Sequence, residues 1–416
     1  MTTRLRIDRL GAQGDGVADT EAGAVYVPFA LPGELATVAV EGDRGTLIAV
    51  VEPSAARVEP ACRHFGECGG CALQHLDATA YLAWKRDKLV AALASRGLDV
   101  EVGETVACEP GARRRAVFSV RRTAQELLFG YNRAATHHLV SVDECPILVP
   151  RIPASLPVLR ELAALVCATD KAFRVAVSDT ESGLDVAVSG AGKTGEKARR
   201  AAADFAMRQR IARLSLDGEV LIAPRPPQIT IGRAVVNPPV GGFLQAVPAI
   251  EAAIAARVVS HLGKGRVRRI ADLFCGVGTF ALRLAERAEI LAVENDAAAL
   301  AALDRGFRHA DGLKRITTEK RDLFRRPLTT KELNGFDAVV FDPPRAGAEA
   351  QARQLAMSDV PRIAAVSCNP ATLARDLRIL VDGGYSVVEA APFDQFLWSA
   401  HVEAVALLEK PVKKRR

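Results

Sequence analysis

The sequence predicts an α/β protein: a doubly wound parallel sheet in its C-terminal part, preceded by a small β-barrel and a central mixed α+β region. Three observations carry this. Beyond about residue 231, apolar strand-like runs alternate with helix-like runs. The first fifty-odd residues instead hold short alternating runs separated by Gly and Pro turns. Between the two lies a cysteine-rich stretch followed by mixed strands and helices. The division that results is 1–55, 56–230 and 231–416, in keeping with 416 residues being too many for one ordinary core.

Composition narrows the class. With 49% hydrophobic and 25% charged residues, global disorder and collagen-like repeats are excluded. No apolar run approaches the roughly 20 residues that span a bilayer, so no membrane association is expected. The start, Met1 to Asp8, has no apolar stretch after its basic residues and does not read as a secretory signal. A cytoplasmic protein with reduced thiols is the expectation, since eight cysteines are too few for a disulfide scaffold of this length. The net charge of +6 permits a polyanionic partner, and nothing implies an obligate protein partner.

In chain order, the runs at 5–7, 25–27, 36–40 and 46–50 read as strands, with 29–33 as a loop between two of them. A barrel of this size is often an OB-type nucleic-acid module; a generic β-cap fits equally well. Residues 53–60 read as a linker. Helical spacing of Leu82, Lys85, Leu89 and Leu93 marks 77–94, ending at Gly97. Arg113–Arg115 and Arg121-Arg122 are basic patches, and the alternating charge of 195–211 reads as a solvated helix. Strands are expected at 267–273, 290–294, 316–320, 338–342, 363–367, 386–389 and 402–408, with helices at 281–287, 297–305 and 372–382.

Cys62, Cys68, Cys71 and Cys145 have the pattern of a four-thiolate metal site: two cysteines two residues apart can face one centre, and Gly69-Gly70 keep the loop tight. The Cys145-Pro146 pair leans toward an iron–sulfur cluster, whereas structural zinc could use His64 or His75 as a substitute ligand; spacing leaves both open.

Asp272-Leu273-Phe274-Cys275-Gly276-Val277-Gly278-Thr279-Phe280-Ala281 follows an expected strand and opens a helix, so its backbone can turn beneath a ligand. Glu294 ends the next strand, where an acid can accept both hydroxyls of a ribose. These residues alone suit NAD or S-adenosylmethionine. Two features favour the methyl donor. One is Asp342-Pro343-Pro344-Arg345 at the end of the fourth strand. The other is a last strand that follows a strand-and-turn unit ending near Pro392, as expected if it inserts antiparallel.

The apolar run 363–367 ends in Cys368-Asn369-Pro370, which places a thiol at the sheet edge that should carry the cofactor. If the final strand is antiparallel, Glu403 at its start lies on the same rim. A glutamate among Val402, Ala404, Val405 and Ala406 is costly to bury without a task or partner; a salt bridge to Arg345 or Arg375 is the alternative to a catalytic task. A thiol and a carboxylate beside a methyl donor suit methylation of a pyrimidine. Thiolate attack at the 6-carbon of uracil makes the 5-carbon nucleophilic, and a base must then remove the 5-proton. The ring must leave its stack to be reached.

At these residues the chain resembles the RNA uracil-5 (5-methyluridine) methyltransferase family over nearly its whole length. The resemblance implies a Rossmann-like S-adenosylmethionine-binding catalytic domain, a barrel similar to a TRAM domain, Cys368 as nucleophile and Glu403 as proton-abstracting base. It also implies that Gln245, Phe274, Thr279, Glu294, Asp322 and Asp342 line the S-adenosylmethionine and uracil pocket. Cys62, Cys68, Cys71 and Cys145 would hold a [4Fe–4S] cluster rather than zinc. Structured RNA is the implied partner, with ribosomal RNA ahead of transfer RNA, gripped by the barrel, the 113–122 region and the basic tail 410–416. Members similar to this chain usually carry Asn where Val247 stands, Pro where Leu397 stands, Thr where Ser399 stands, and often Asn where Asp322 stands. A non-catalytic RNA-binding protein that kept the fold is the rival class, and the intact Cys368 and Glu403 argue against it; a dehydrogenase comes third.

Overall fold

A computed structural model describes residues 2–134 and 136–411. The C-terminal sheet has seven strands: β1 (Arg269–Leu273), β2 (Glu289–Glu294), β3 (Ile316–Lys320), β4 (Ala338–Phe341), β5 (Arg362–Ser367), β6 (Ser386–Phe393) and β7 (Glu403–Glu409). Their order is β3-β2-β1-β4-β5-β7-β6. The first five are parallel, and β7 runs antiparallel between β5 and β6. Both faces of the central strands are apolar because both are covered: β4 is buried at all four positions. One face packs against helix Pro248–Leu262 through Ile250, Ile254 and Val258. The other packs against Glu349–Ala356 and Pro370–Asp382 through Leu355, Leu373 and Leu377.

Ahead of this sheet lie two more. Six short strands from Thr2 to Glu52 form one sheet around Ile7, Ala18, Val25, Val27, Ala36 and Val38. Seven strands between Arg115 and Ile222 form the other, all antiparallel except where Gly183–Ser189 meets Arg213–Leu216. Helix Ala78–Ala94 starts at Asp77, whose carboxylate accepts the Thr79 and Ala80 N–H groups. Among the described residues, no helix is long and apolar enough to cross a membrane.

Three expectations are corrected. The stretch 53–60 is not a free linker: Arg57 grips the fully buried Glu34 at 2.5 Å and donates to the Phe29 carbonyl, tying it to the first sheet. The helix Glu196–Arg208 is not solvated all round, since Ala202, Phe205 and Ala206 recur at helical spacing on a buried face. Strand β6 does not turn at Pro392 but continues to Phe393, which the missing N–H permits because β6 is an edge strand.

Candidate active site

The glycine loop after β1 is held by its own acid. Asp272 is wholly buried, and its Oδ2 accepts the Ala281 N–H at 2.7 Å, fixing the start of the short helix Ala281–Leu284. Burial first, with Asp342 and Glu294 adding, pushes its carboxyl well above the usual carboxylate range. Gly278 has φ +98°, and a Cβ there would lie 2.4 Å from Leu303 Cδ1, so any other residue would be strained and would clash. Phe274 adopts φ +61°, uncommon for a bulky residue, and its ring packs against Phe324 with centroids 5.5 Å apart. Glu294, at the end of β2, accepts the Gly276 N–H at 3.1 Å on one oxygen and the Asn295 N–H at 2.6 Å on the other. Thr279 lies in the same loop, its carbonyl accepting from Arg283 at 2.6 Å. Asp322 follows β3, where its carboxylate accepts the Phe324 N–H at 3.0 Å. The Oδ1 of Asp272 is buried without a partner, and the Asp342 and Glu294 carboxyls lie close enough to raise its own further.

Cys368 and Glu403 meet through strand register. β5 and β7 pair with Ser367 opposite Ala404, so the next antiparallel pair outward is Cys368 and Glu403. Cys368 is partly buried and opens on a cavity of about 530 Å³. The same cavity is walled by Leu10–Gln13 of the first sheet, Trp84 and Lys88 of helix Ala78–Ala94, and Arg345. Glu403 is only 3% exposed and is not among the residues that line the cavity, although its neighbours His401 and Val402 are. Neither Arg345 nor Arg375 pairs with it: Arg345 approaches His401 Nδ1 at 3.5 Å, and Arg375 is taken by Asp376. Glu403 instead ends a chain of hydrogen bonds. Gln245 Nε2 donates to Asp342 Oδ2 at 3.1 Å, Gln395 Nε2 donates to Gln245 Oε1 at 2.8 Å, and the same Nε2 donates to Glu403 Oε2 at 3.1 Å. Burial, then the Asp342 charge, pushes Glu403 well above the usual carboxylate range. Burial pushes Asp342 to about 7 against the Gln245 bond. The Cys368 thiol is raised to about 11 by burial, then by Glu403 and Asp342, with Arg345 opposing.

Gln395 and Asp394 escaped the sequence reading, and Lys85 entered it only as one position of a helical spacing. Lys85 and Asp394 are both fully buried and paired at 2.5 Å. Lys85 Nζ also donates to the carbonyls of Phe396 and His401, at 3.0 and 2.7 Å. Tyr81 Oη donates to Asp394 Oδ1 at 3.0 Å and accepts the Trp398 N–H at 2.7 Å. The segment leading to Glu403 is thus strapped to helix Ala78–Ala94. This replaces the stiffness that a proline at Leu397 would give; Leu397 packs with Leu31, Leu73 and Tyr81. The available signal was a lysine at an otherwise apolar helical position, Tyr81-Lys85-Leu89-Leu93.

The arginine patch divides. Arg114 is buried, pairs with Glu251 at 2.6 Å and donates to the Gln245 carbonyl at 2.9 Å, so it supports the site and cannot grip a partner; Arg121 and Arg122 are exposed. Val247, one of the departures from the family pattern, is buried in the core. Of the basic tail, residues 412–416 lie outside the described residues.

Cys62, Cys68, Cys71 and Cys145 line a single cavity of about 270 Å³, joined by Gln74 and Arg113. Gly69 sits so close to Asn132 and Ala134 that a Cβ would lie 2.7 Å from their backbone atoms. Burial raises all four thiols, Cys71 to about 11 and Cys145 to about 12. Among the described residues, no three His, Cys, Asp or Glu side chains are already drawn together as a metal-holding group. Four free cysteines on one cavity are nonetheless a donor set that fits a thiolate-bound centre.

The family described as tRNA (Uracil-5-)-methyltransferase matches residues 237–411. An RNA methyltransferase of Mesorhizobium japonicum is 59% identical over 100% of both chains. A 23S rRNA (uracil(1939)-C(5))-methyltransferase of Halomonas elongata is 34% identical over 99% of this chain and 90% of that protein. The chain belongs to the RNA (uracil-5-)-methyltransferase family. It is therefore an S-adenosylmethionine-dependent enzyme acting on RNA. The fold agrees: the solved tRNA (uracil-54, C5)-methyltransferase of Pyrococcus abyssi, in complex with S-adenosyl-L-homocysteine, superposes with a TM-score of 0.75. It shares 24% identity, over 97% of this chain and 99% of that one.

Proposed function

We propose that this RNA (uracil-5-)-methyltransferase modifies the 5-carbon of a uridine in structured ribosomal RNA through a covalent adduct to Cys368, with Glu403 as the base. The observation that carries the reading is the register that sets Cys368 beside Glu403 at the rim of the catalytic sheet. A flipped uracil entering the 530 Å³ cavity meets the Cys368 sulfur on the side walled by Leu10–Gln13, Trp84 and Lys88. The thiolate adds to the 6-carbon, and the electron pair of the double bond becomes available at the 5-carbon. S-adenosylmethionine supplies the methyl group. Glu294 and the glycine loop hold that cofactor, with Phe274, Thr279 and Asp322 beside them, while Gln245 and Asp342 orient the ring. Glu403 then takes the 5-proton and Cys368 leaves. Ribosomal RNA is favoured by the full-length similarity to a 23S rRNA enzyme. The description of the matching family favours transfer RNA as the second reading. Mapping 5-methyluridine in ribosomal and transfer RNA from cells with and without the protein separates them. A missing site in transfer RNA alone would reject the ribosomal assignment.

Glu403→Gln keeps the shape of the base and loses its proton affinity. It is expected to accumulate a protein–RNA adduct that survives denaturing electrophoresis; free RNA with normal turnover would reject the base assignment.

The four cysteines are the proposed ligands of a [4Fe–4S] cluster, with zinc as the alternative. Protein purified without oxygen is expected to carry iron and sulfide in equal amounts, and Cys71→Ser to lose both together with the visible absorbance. Zinc in place of iron would reject the cluster. The cavity adjoins the active site in the chain: the Ala72 and Leu73 N–H groups both donate to the Trp398 carbonyl. The role of the centre is therefore structural, tying residue 62 to residue 145 beneath the strap that carries the base.

A further inference from the structure

Gln395 lies just after β6 and is 1% exposed. A side-chain amide has two N–H donors, and Gln395 directs its Nε2 to both Gln245 Oε1 and Glu403 Oε2. Its own Oε1 is buried without a partner. A buried acceptor left unmade is costly, so the position keeps an amide in spite of that penalty. What the amide does is visible in its surroundings. Asp342 lies at the other end of the chain, and Cys368 is the neighbour across β5. Arg345 stands at the rim beside His401, which burial and then Arg345 push toward its neutral form, and Lys85 reaches the His401 carbonyl, but no hydrogen bond joins any of the three to Glu403. Burial and the Asp342 charge both favour the protonated Glu403, which is useless as a base; the Gln395 bond opposes them.

We infer that Gln395 is a positioning residue that holds the Glu403 carboxylate in place as the proton acceptor of the elimination step. In that step the C5–H electron pair re-forms the C5–C6 double bond, the proton passes to Glu403, and the C6–S pair leaves with Cys368 as thiolate. The inference rests on the covalent reading above.

The test uses the full-length protein and total RNA labelled with [5-³H]uridine, prepared from cells lacking the protein. Tritium release and adduct on denaturing gels are followed across pH for the wild type, Gln395→Met and Glu403→Gln. Removing the donor raises the pH at which Glu403 loses its proton. Gln395→Met is therefore expected to slow release at neutral pH about tenfold or more, to accumulate adduct there, and to recover as pH rises, its midpoint shifted up by roughly one to two units. A rate lowered equally at every pH, with the wild-type midpoint, would overturn the inference while leaving the adduct chemistry intact. Absence of any trapped adduct in Glu403→Gln would instead remove the reading beneath it. If Gln395→Met does not fold, Gln395→Asn, whose shorter amide cannot span both partners, is judged by the same midpoint.

Discussion

Cys368→Ala is expected to eliminate methyl transfer, lowering turnover by roughly 10⁴-fold or more, because Cys368 is the one thiol lining the cavity among the described residues and its addition is what activates the 5-carbon. Cys275, buried within the glycine loop, does not line this cavity and cannot substitute. S-adenosylmethionine binding should persist, since Glu294 and the glycine loop are untouched. The measurement is methyl incorporation into RNA alongside equilibrium binding of the cofactor; full incorporation by the variant would exclude the covalent route. The same thiol gives the wild type a pH dependence. With Cys368 pushed up to about 11, only a small fraction is thiolate near neutrality, and that fraction rises with pH. Adduct formation by Glu403→Gln, in which the base no longer titrates, is therefore expected to accelerate from neutral toward alkaline pH. A flat profile would mean that bound RNA or Arg345 has already ionised the sulfur.

The second large effect is structural and acts at a distance from the chemistry. Lys85→Met removes the partner of a fully buried Asp394, and breaking a buried pair this way costs about 3–5 kcal/mol. It also strips the Phe396 and His401 carbonyls of a donor, so the loss falls on the segment that leads to Glu403. The variant is expected to unfold at lower temperature and to exchange the amides of 396–401 faster than those of β1 or β4. Turnover should fall even where the protein remains folded. Replacing both members, Lys85→Met with Asp394→Leu, should recover a good part of the stability, because a matched apolar pair leaves no stranded charge. Equal damage in the single and double variants would show that the pair is not the unit that matters.

The catalytic sheet was largely legible beforehand because its strands are buried on both faces and so appear as uninterrupted apolar runs, with helices of different period between them. The antiparallel direction of the last strand was only a condition of that reading; the pairing of β7 with β5 supplies it, and with it the placing of Glu403 on the rim that holds Cys368. The first region was legible only as a set of turns and short runs; its strand order needs crossovers that no local pattern encodes. Arg114 misled because a guanidinium in a basic patch looks alike whether it faces solvent or, as here, Glu251.

Local sequence determined what depends on residue type and near spacing: the loop whose turns rest on Gly276 and Gly278, the thiol at a strand end, and the four cysteines with their intervening glycines. Tertiary structure alone decided what those groups experience. Lys85 and Asp394 are 309 residues apart, and Gln395 and Gln245 are 150 apart, so neither contact leaves a periodic trace in the chain. Burial, which shifts a carboxyl or thiol by removing its water, belongs to the assembled core and not to any segment of it. Glu403 is a glutamate by sequence; the closed core, Asp342 and one amide hydrogen bond together set where it holds its proton.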